Sequence, residues 1–140
     1  MSNAKAVSTP LAMHFRLSVA QSPTSDEEKL HMSKVPYASA VGSIMYALVC
    51  TRPDIAQAVS VVSRYMANPK KDHWLVVKWI LRYIKRTSNH GLVYKRDEDS
   101  NEMVRGYVDS DYAGDLDKRR SLTGYVFTVF GCNVCWRLVL

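Results

Sequence analysis

Four aspartates stand within nine residues: Asp109, Asp111, Asp115 and Asp117. On a strand, side chains alternate between faces, so Tyr107, Asp109 and Asp111 share one face. A carboxylate there is unfavourable unless it sits at an edge, in solvent or on a cation. Oxygen ligands suit Mg²⁺, and two-metal phosphodiester hydrolysis needs several carboxylates converging on ions roughly 4 Å apart. The same residues fit an ordinary acidic strand end and turn, and spacing alone does not choose between the two. Calcium binding is excluded. Ala113 replaces a ligand of an EF-hand loop, Arg120 stands where the bidentate Glu is required, and the flanks read as strands.

The cations gather elsewhere. Residues 64–86 carry seven Lys and Arg against one Asp, which accounts for the whole net charge of +6, whereas residues 97–117 hold eight carboxylates and Arg105. At about 100° per residue, Lys71, Lys78, Arg82 and Lys85 fall in one stripe of a helix. Val77, Ile80, Leu81 and Ile84 lie opposite, with Trp74 and Trp79 at the borders. Such a row fits phosphate contacts, with the indoles packing against sugar or base. A solvated helix face with boundary tryptophans fits it too.

Cys132-Asn133-Val134-Cys135 has the C-x-x-C spacing. A zinc site needs a second pair of ligands, and Cys50, His14, His31, His73 and His90 supply none at paired spacing. A thioredoxin-like motif belongs at a helix start, whereas this one falls in a β-turn and strand. The two cysteines are therefore expected to be neighbours in a hairpin. Three cysteines give no disulfide framework and suit a reducing compartment. No histidine stands with a Ser or Cys in a nucleophile's context, so no triad is expected.

The elements that must position these groups are legible in outline. Pro10, Pro23 and the polar run Ser18–Ser25 predict an irregular arm or linker over residues 1–34. A helix is predicted from Tyr37 to about Val49. Thr51-Arg52-Pro53-Asp54 reads as a helix start, with Thr51 as cap and Asp54 completing a capping box. The following helix presents Ile55, Val59, Val62 and Met66, and Asn68-Pro69 stops it. The basic helix runs from about Lys70 to Thr87, with Gly91 suited to a left-handed cap. Strand texture follows at Leu92–Tyr94, Met103–Asp111, Ser121–Phe130 and Val134–Leu140, with turns at Asp97–Asn101 and Gly131–Asn133.

A chain of 140 residues, 47% hydrophobic, suits one ordinary domain or two incomplete ones. No run approaches the roughly 20 apolar residues that span a membrane, and Met1–Arg16 lacks a signal peptide's apolar stretch. An intracellular location, cytoplasmic or nuclear, is the expectation.

The linked motifs carry a resemblance. Val35-Pro36-Tyr37-Ala38-Ser39-Ala40-Val41-Gly42-Ser43-Ile44-Met45-Tyr46, then Cys50-Thr51-Arg52-Pro53-Asp54-Ile55-Ala56, closely resemble copia-type retrotransposon pol. Ser63–Met66, Asn68-Pro69, His73-Trp74 and Leu81–Ile84 continue in that family's order. Gly106–Asp115 and Ser121–Phe127 look like the opening strands of its ribonuclease H, and Ser8–Leu11 also fits. The match runs from about residue 5 to 136.

The resemblance implies an α+β chain. Residues 35–95 would be the helical thumb and connection region of a reverse transcriptase. Residues 103–140 would be the first three antiparallel strands of an incomplete ribonuclease H-like sheet. The parent protein would be an RNA-directed DNA polymerase and ribonuclease H using Mg²⁺. Asp109 matches the first catalytic, metal-binding Asp, with Asp111 carried as a weaker ligand. The polymerase aspartates are absent, and after Trp136 the chain departs from the family and stops at Leu140. An inactive pol remnant is therefore expected, with a non-functional Asp109 and no functional cofactor. An uncovered sheet would favour self-association, and no membrane partner is expected. Two alternatives stand beside it: a relic that holds RNA–DNA hybrid through Lys71, Lys78, Arg82 and Lys85, and a nuclease completed by a partner chain.

Overall fold

The computed structural model describes residues 4–19, 23, 25–95 and 103–139. The chain divides into two compact units, residues 1–89 and 90–140. Among the described residues four helices precede a three-stranded antiparallel sheet, so the layout is α+β.

The first unit holds α1 (Asp26–Ser33), α2 (Tyr37–Cys50), a 3₁₀ turn (Pro53–Ile55), α3 (Ala56–Ser63) and α4 (Lys71–Arg86). Tyr37, Val41 and Ile44 recur at helical spacing on α2 and are buried against Val59 and Val62 of α3 and Val76, Val77 and Ile80 of α4. Each such side chain contributes about 1.5–3 kcal/mol on leaving water. The Tyr37 hydroxyl donates to the Val62 carbonyl at 2.8 Å, so α2 is pinned to α3 by a buried bond as well as by packing. Burial pushes the Tyr37 phenol well above its ordinary value, with Tyr65 adding to the shift.

Several expectations give way here. The polar run before Lys34 is not irregular throughout. Ser25 Oγ accepts from Glu28 N at 3.2 Å, and Asp26, Glu27 and Glu28 fill the first turn of α1, where they oppose the helix dipole. The residues ahead of it also pack: Val7 and Leu17 are buried, and Leu11 and Phe15 lie against the core. No capping box forms at Thr51, which ends α2 instead. Asp54 turns to Arg52, because a bidentate guanidinium outcompetes a backbone amide for a carboxylate. Gly91 does not adopt the left-handed conformation; α4 ends at Thr87, whose amide bonds the Tyr83 carbonyl.

The second unit is a meander of β1 (Val104–Ser110), β2 (Thr123–Val129) and β3 (Cys132–Val139), in chain order across the sheet. Val104 faces Val129 and Ser110 faces Thr123. Leu92–Tyr94 is not a strand, and the turn expected at Asp97–Asn101 lies outside the described residues. The β2–β3 turn is tighter than Gly131–Asn133. Phe130 and Gly131 alone make it, both with positive φ (46° and 77°), so Cys132 already belongs to β3. The β2–β3 register slips between Phe127 and Thr128: Phe127 faces Cys135, Thr128 faces Asn133, and Val134 is the extra residue. β1 is exposed at every position, Val108 by 83%.

Candidate functional site

The four expected cations all lie on α4, a continuous helix, where intervals of seven, eleven and fourteen residues return to one side. They do not present one uniform row. Arg82 Nε donates to the Lys5 carbonyl at 2.6 Å, and its guanidinium stacks over the Trp79 ring at 5.2 Å. Trp79 Nε1 donates to the Thr9 carbonyl at 2.9 Å, and Phe15 and His14 meet the same indole edge-on at 5.4 and 5.9 Å. The early segment therefore straps across the C-terminal half of α4. Arg82 and Trp79 hold that strap, and Lys71 and Lys85 stay exposed with Lys78 half-buried. The strap in turn brings the exposed Lys5 to the same surface, a cation that helical periodicity could not have found.

The opposite face of α4 contains a residue missed by apolar patterning. His73 is fully buried, its ring stacked on Tyr65 at 4.1 Å and its Nδ1 accepting from Lys70 N at 3.0 Å. Arg52 is also buried, 7% exposed. Its Nε and one terminal nitrogen donate to the two Asp54 oxygens at 2.9 and 2.8 Å, and the same fork reaches the Thr87 hydroxyl and carbonyl. Tyr83 Oη also donates to Asp54 at 2.8 Å. The Arg52 guanidinium holds the Asp54 carboxyl below its ordinary range against the opposing effect of burial, and the Tyr83 hydroxyl assists. With all three guanidinium nitrogens and both carboxylate oxygens engaged, this node ties the start of the 3₁₀ turn to the end of α4.

In the second unit, Asp109 lies on β1 opposite Gly124, exposed, with Oδ1 accepting from Ser110 N at 2.9 Å. Asp111 lies just beyond the strand. Its amide bonds the Leu122 carbonyl at 3.0 Å, its Oδ1 accepts from Leu122 N at 2.6 Å, and its other oxygen presses against Gly114. Asp115 is 5% exposed; its Oδ1 accepts from Asp117 N at 3.0 Å and Lys118 N at 3.3 Å. Asp111 and Asp115 thus shape the loop that joins β1 to β2. Among the described residues no group of three His, Cys, Asp or Glu converges as an ion would require. This donor set does not by itself fit a two-metal centre. The loop presents Lys118, Arg119 and Arg120 to solvent, a run of three cations legible in the sequence but overshadowed by the acidic cluster before it.

The chain is similar to the Retrovirus-related Pol polyprotein from transposon TNT 1-94 of Nicotiana tabacum, 56% identical over 137 residues, or 98% of this chain and 10% of that protein. It is 36% identical over 141 residues to the Pol polyprotein from transposon RE2 of Arabidopsis thaliana, 97% of this chain and 9% of that protein. It thus spans about a tenth of the Pol polyproteins it matches. It is also similar to the Secreted RxLR effector protein 161 of Plasmopara viticola, 46% identical over 106 residues, 76% of this chain and 73% of that protein. No protein-family model and no solved structure matches the chain. Among the described residues no helix is long and apolar enough to cross a membrane.

Proposed function

We propose that the chain, whose homologues include the retrovirus-related Pol polyproteins of plant transposons, is a copia-type pol segment joining the end of a reverse transcriptase to the opening strands of a ribonuclease H. The observation that carries this proposal is the order of parts. A helical unit is followed by a β1-β2-β3 meander whose first strand bears Asp109 within Gly106–Asp115. By itself the segment has no polymerase activity and negligible nuclease activity. Asp111, the nearest partner for Asp109 on a shared ion, is committed to the Leu122 amide. The 73% coverage of a short relative supports the view that such a stretch can stand outside a polyprotein.

The test is incubation of the chain with labelled RNA–DNA hybrid, with and without Mg²⁺, scoring retention and cleavage together. Neither polymerisation nor cleavage is expected. Mg²⁺-dependent cleavage that disappears in Asp109→Asn would overturn the inactive reading and point to carboxylates supplied by a second chain.

A second reading, retention of the hybrid without cleavage, is favoured by the surface that Lys71, Lys78 and Lys85 share with strap residue Lys5. Binding through phosphates in this way weakens steeply with salt.

A further inference from the structure

We propose that Cys132 and Cys135 form a two-thiolate site for a soft monovalent ion, copper(I). Residues three apart on a regular strand point to opposite faces, so a strand ordinarily separates the thiols of a C-x-x-C. Here Cys132 faces Val129 and Cys135 faces Phe127. Val129 and Phe127 are two apart on β2 and share a face, so their partners share it too. The extra residue Val134 makes the difference, as bulges do when they re-aim a side chain. Both thiols are reduced, Cys135 exposed and Cys132 half-buried.

The span decides which chemistry follows. Same-face neighbours along a strand lie roughly 6.6 Å apart, two rises of about 3.3 Å. A relaxed disulfide wants its Cβ atoms about 3.8 Å apart, so direct S–S closure would distort β3. A bridging ion adds two metal–sulfur bonds of roughly 2.3 Å each and closes the gap. Two ligands fall short of the four that structural zinc takes, and soft thiolates select copper(I), which accepts two-coordinate ligation.

The surroundings supply a second, independent observation. Lys95 N donates to Cys132 Sγ at 3.3 Å, and that sulfur donates to the Lys95 carbonyl at 3.1 Å. The Lys95 amide is thus already aimed at the sulfur that would hold the ion. On binding, each thiol releases its proton to solvent and each sulfur forms one S–Cu bond, with no change of oxidation state. The Lys95 amide stays on the sulfur while the S–H···O bond is broken. Arg137 faces Tyr125, two places from Phe127 on β2 and so on the same face as Cys135, beside a complex of one net negative charge.

The experiment is anaerobic titration of the reduced full chain with copper(I) against the chelator bathocuproine disulfonate. One ion per chain is expected. Cys132→Ser and Cys135→Ser should each weaken binding roughly tenfold or more, and Cys50→Ser should leave it unchanged. Cys135→Ser combined with Trp136→Cys moves the thiol to the other face and should weaken binding equally. On the unmutated chain, phenylarsine oxide should protect two of the three free thiols from a thiol-titrating reagent. Unchanged affinity in either serine variant or in the moved-thiol variant would overturn the site. So would failure of the arsenical to protect, or a copper-dependent dimer showing that the sulfurs come from two chains.

Discussion

Arg52 grips Asp54 with two parallel hydrogen bonds of 2.9 and 2.8 Å while the same guanidinium reaches across 35 positions to Thr87. The start of the 3₁₀ turn and the end of α4 are thereby held as one piece. Arg52→Ala should cost roughly 2 kcal/mol, less than the about 3–5 kcal/mol typical of fully buried pairs, because 40% of the Asp54 side chain is in water. Urea unfolding of the two proteins checks it, and equal midpoints would show the clasp to be idle.

Asp54 also gives the node a pH signature. Its folded pKa lies below the ordinary 3.8, so the unfolded chain binds the proton first on acidification. The stability it adds is present above that ordinary value and is lost as pH falls through the lower folded value. Thermal midpoints followed from pH 7 to 2 should drop more steeply in this window for the parent chain than for Asp54→Asn. Parallel curves would contradict the linkage.

On α4 the roles of the cations separate. Arg82→Gln removes the anchor of the strap and should lower the melting temperature. Lys71→Gln, Lys78→Gln and Lys85→Gln together should leave melting nearly unchanged. If the face holds nucleic acid, the triple variant should flatten the salt dependence of retention by about 0.9 for each phosphate it no longer neutralises. An unaltered slope would remove α4 from the interface.

The β2–β3 turn carries a removable strain. Phe130 sits at φ 46°, a region that costs a branched or bulky residue about 1–2 kcal/mol and that Asn tolerates. Phe130→Asn should therefore stabilise the sheet by on the order of 1 kcal/mol, read as a higher melting temperature. A fall would mean that the Phe130 ring contributes more than its backbone costs.

Gly114 tests the loop. A Cβ there would collide with the Asp111 carboxylate, so Gly114→Ala should break the Asp111–Leu122 bond. Faster amide hydrogen exchange at Leu122 is the expected outcome, and unchanged protection would show that Asp111 can move aside without releasing it.

What the sequence revealed followed periodicity. Helices α3 and α4 came from apolar spacing, because burial of Val59, Val62, Val77 and Ile80 decides them locally, while α2 was read from Pro36 and the small residues after it and the strands from alternation and β-branched texture. What stayed hidden was decided by competition or by distance along the chain. Thr51 and Asp54 read as a capping box because nothing local announces that Arg52 takes the carboxylate. The strap over Trp79 joins residues about 70 positions apart, beyond any window of periodicity. Val134 carries no mark of a bulge, since the slip depends on the register of β2. Asp109 and Asp111 were legible as carboxylates, but the commitment of Asp111 to Leu122 shows only in three dimensions.

Among the described residues each strand of the sheet pairs with its neighbours in chain order. The entropy of closure is therefore small at every step, above all at the two-residue turn through Phe130 and Gly131. A hairpin of this kind zips in roughly 1–10 μs, whereas synthesis adds about 5–20 residues per second. Val129 and Cys132 can thus pair as soon as both have left the ribosome, and the sheet can assemble in the order in which it is translated.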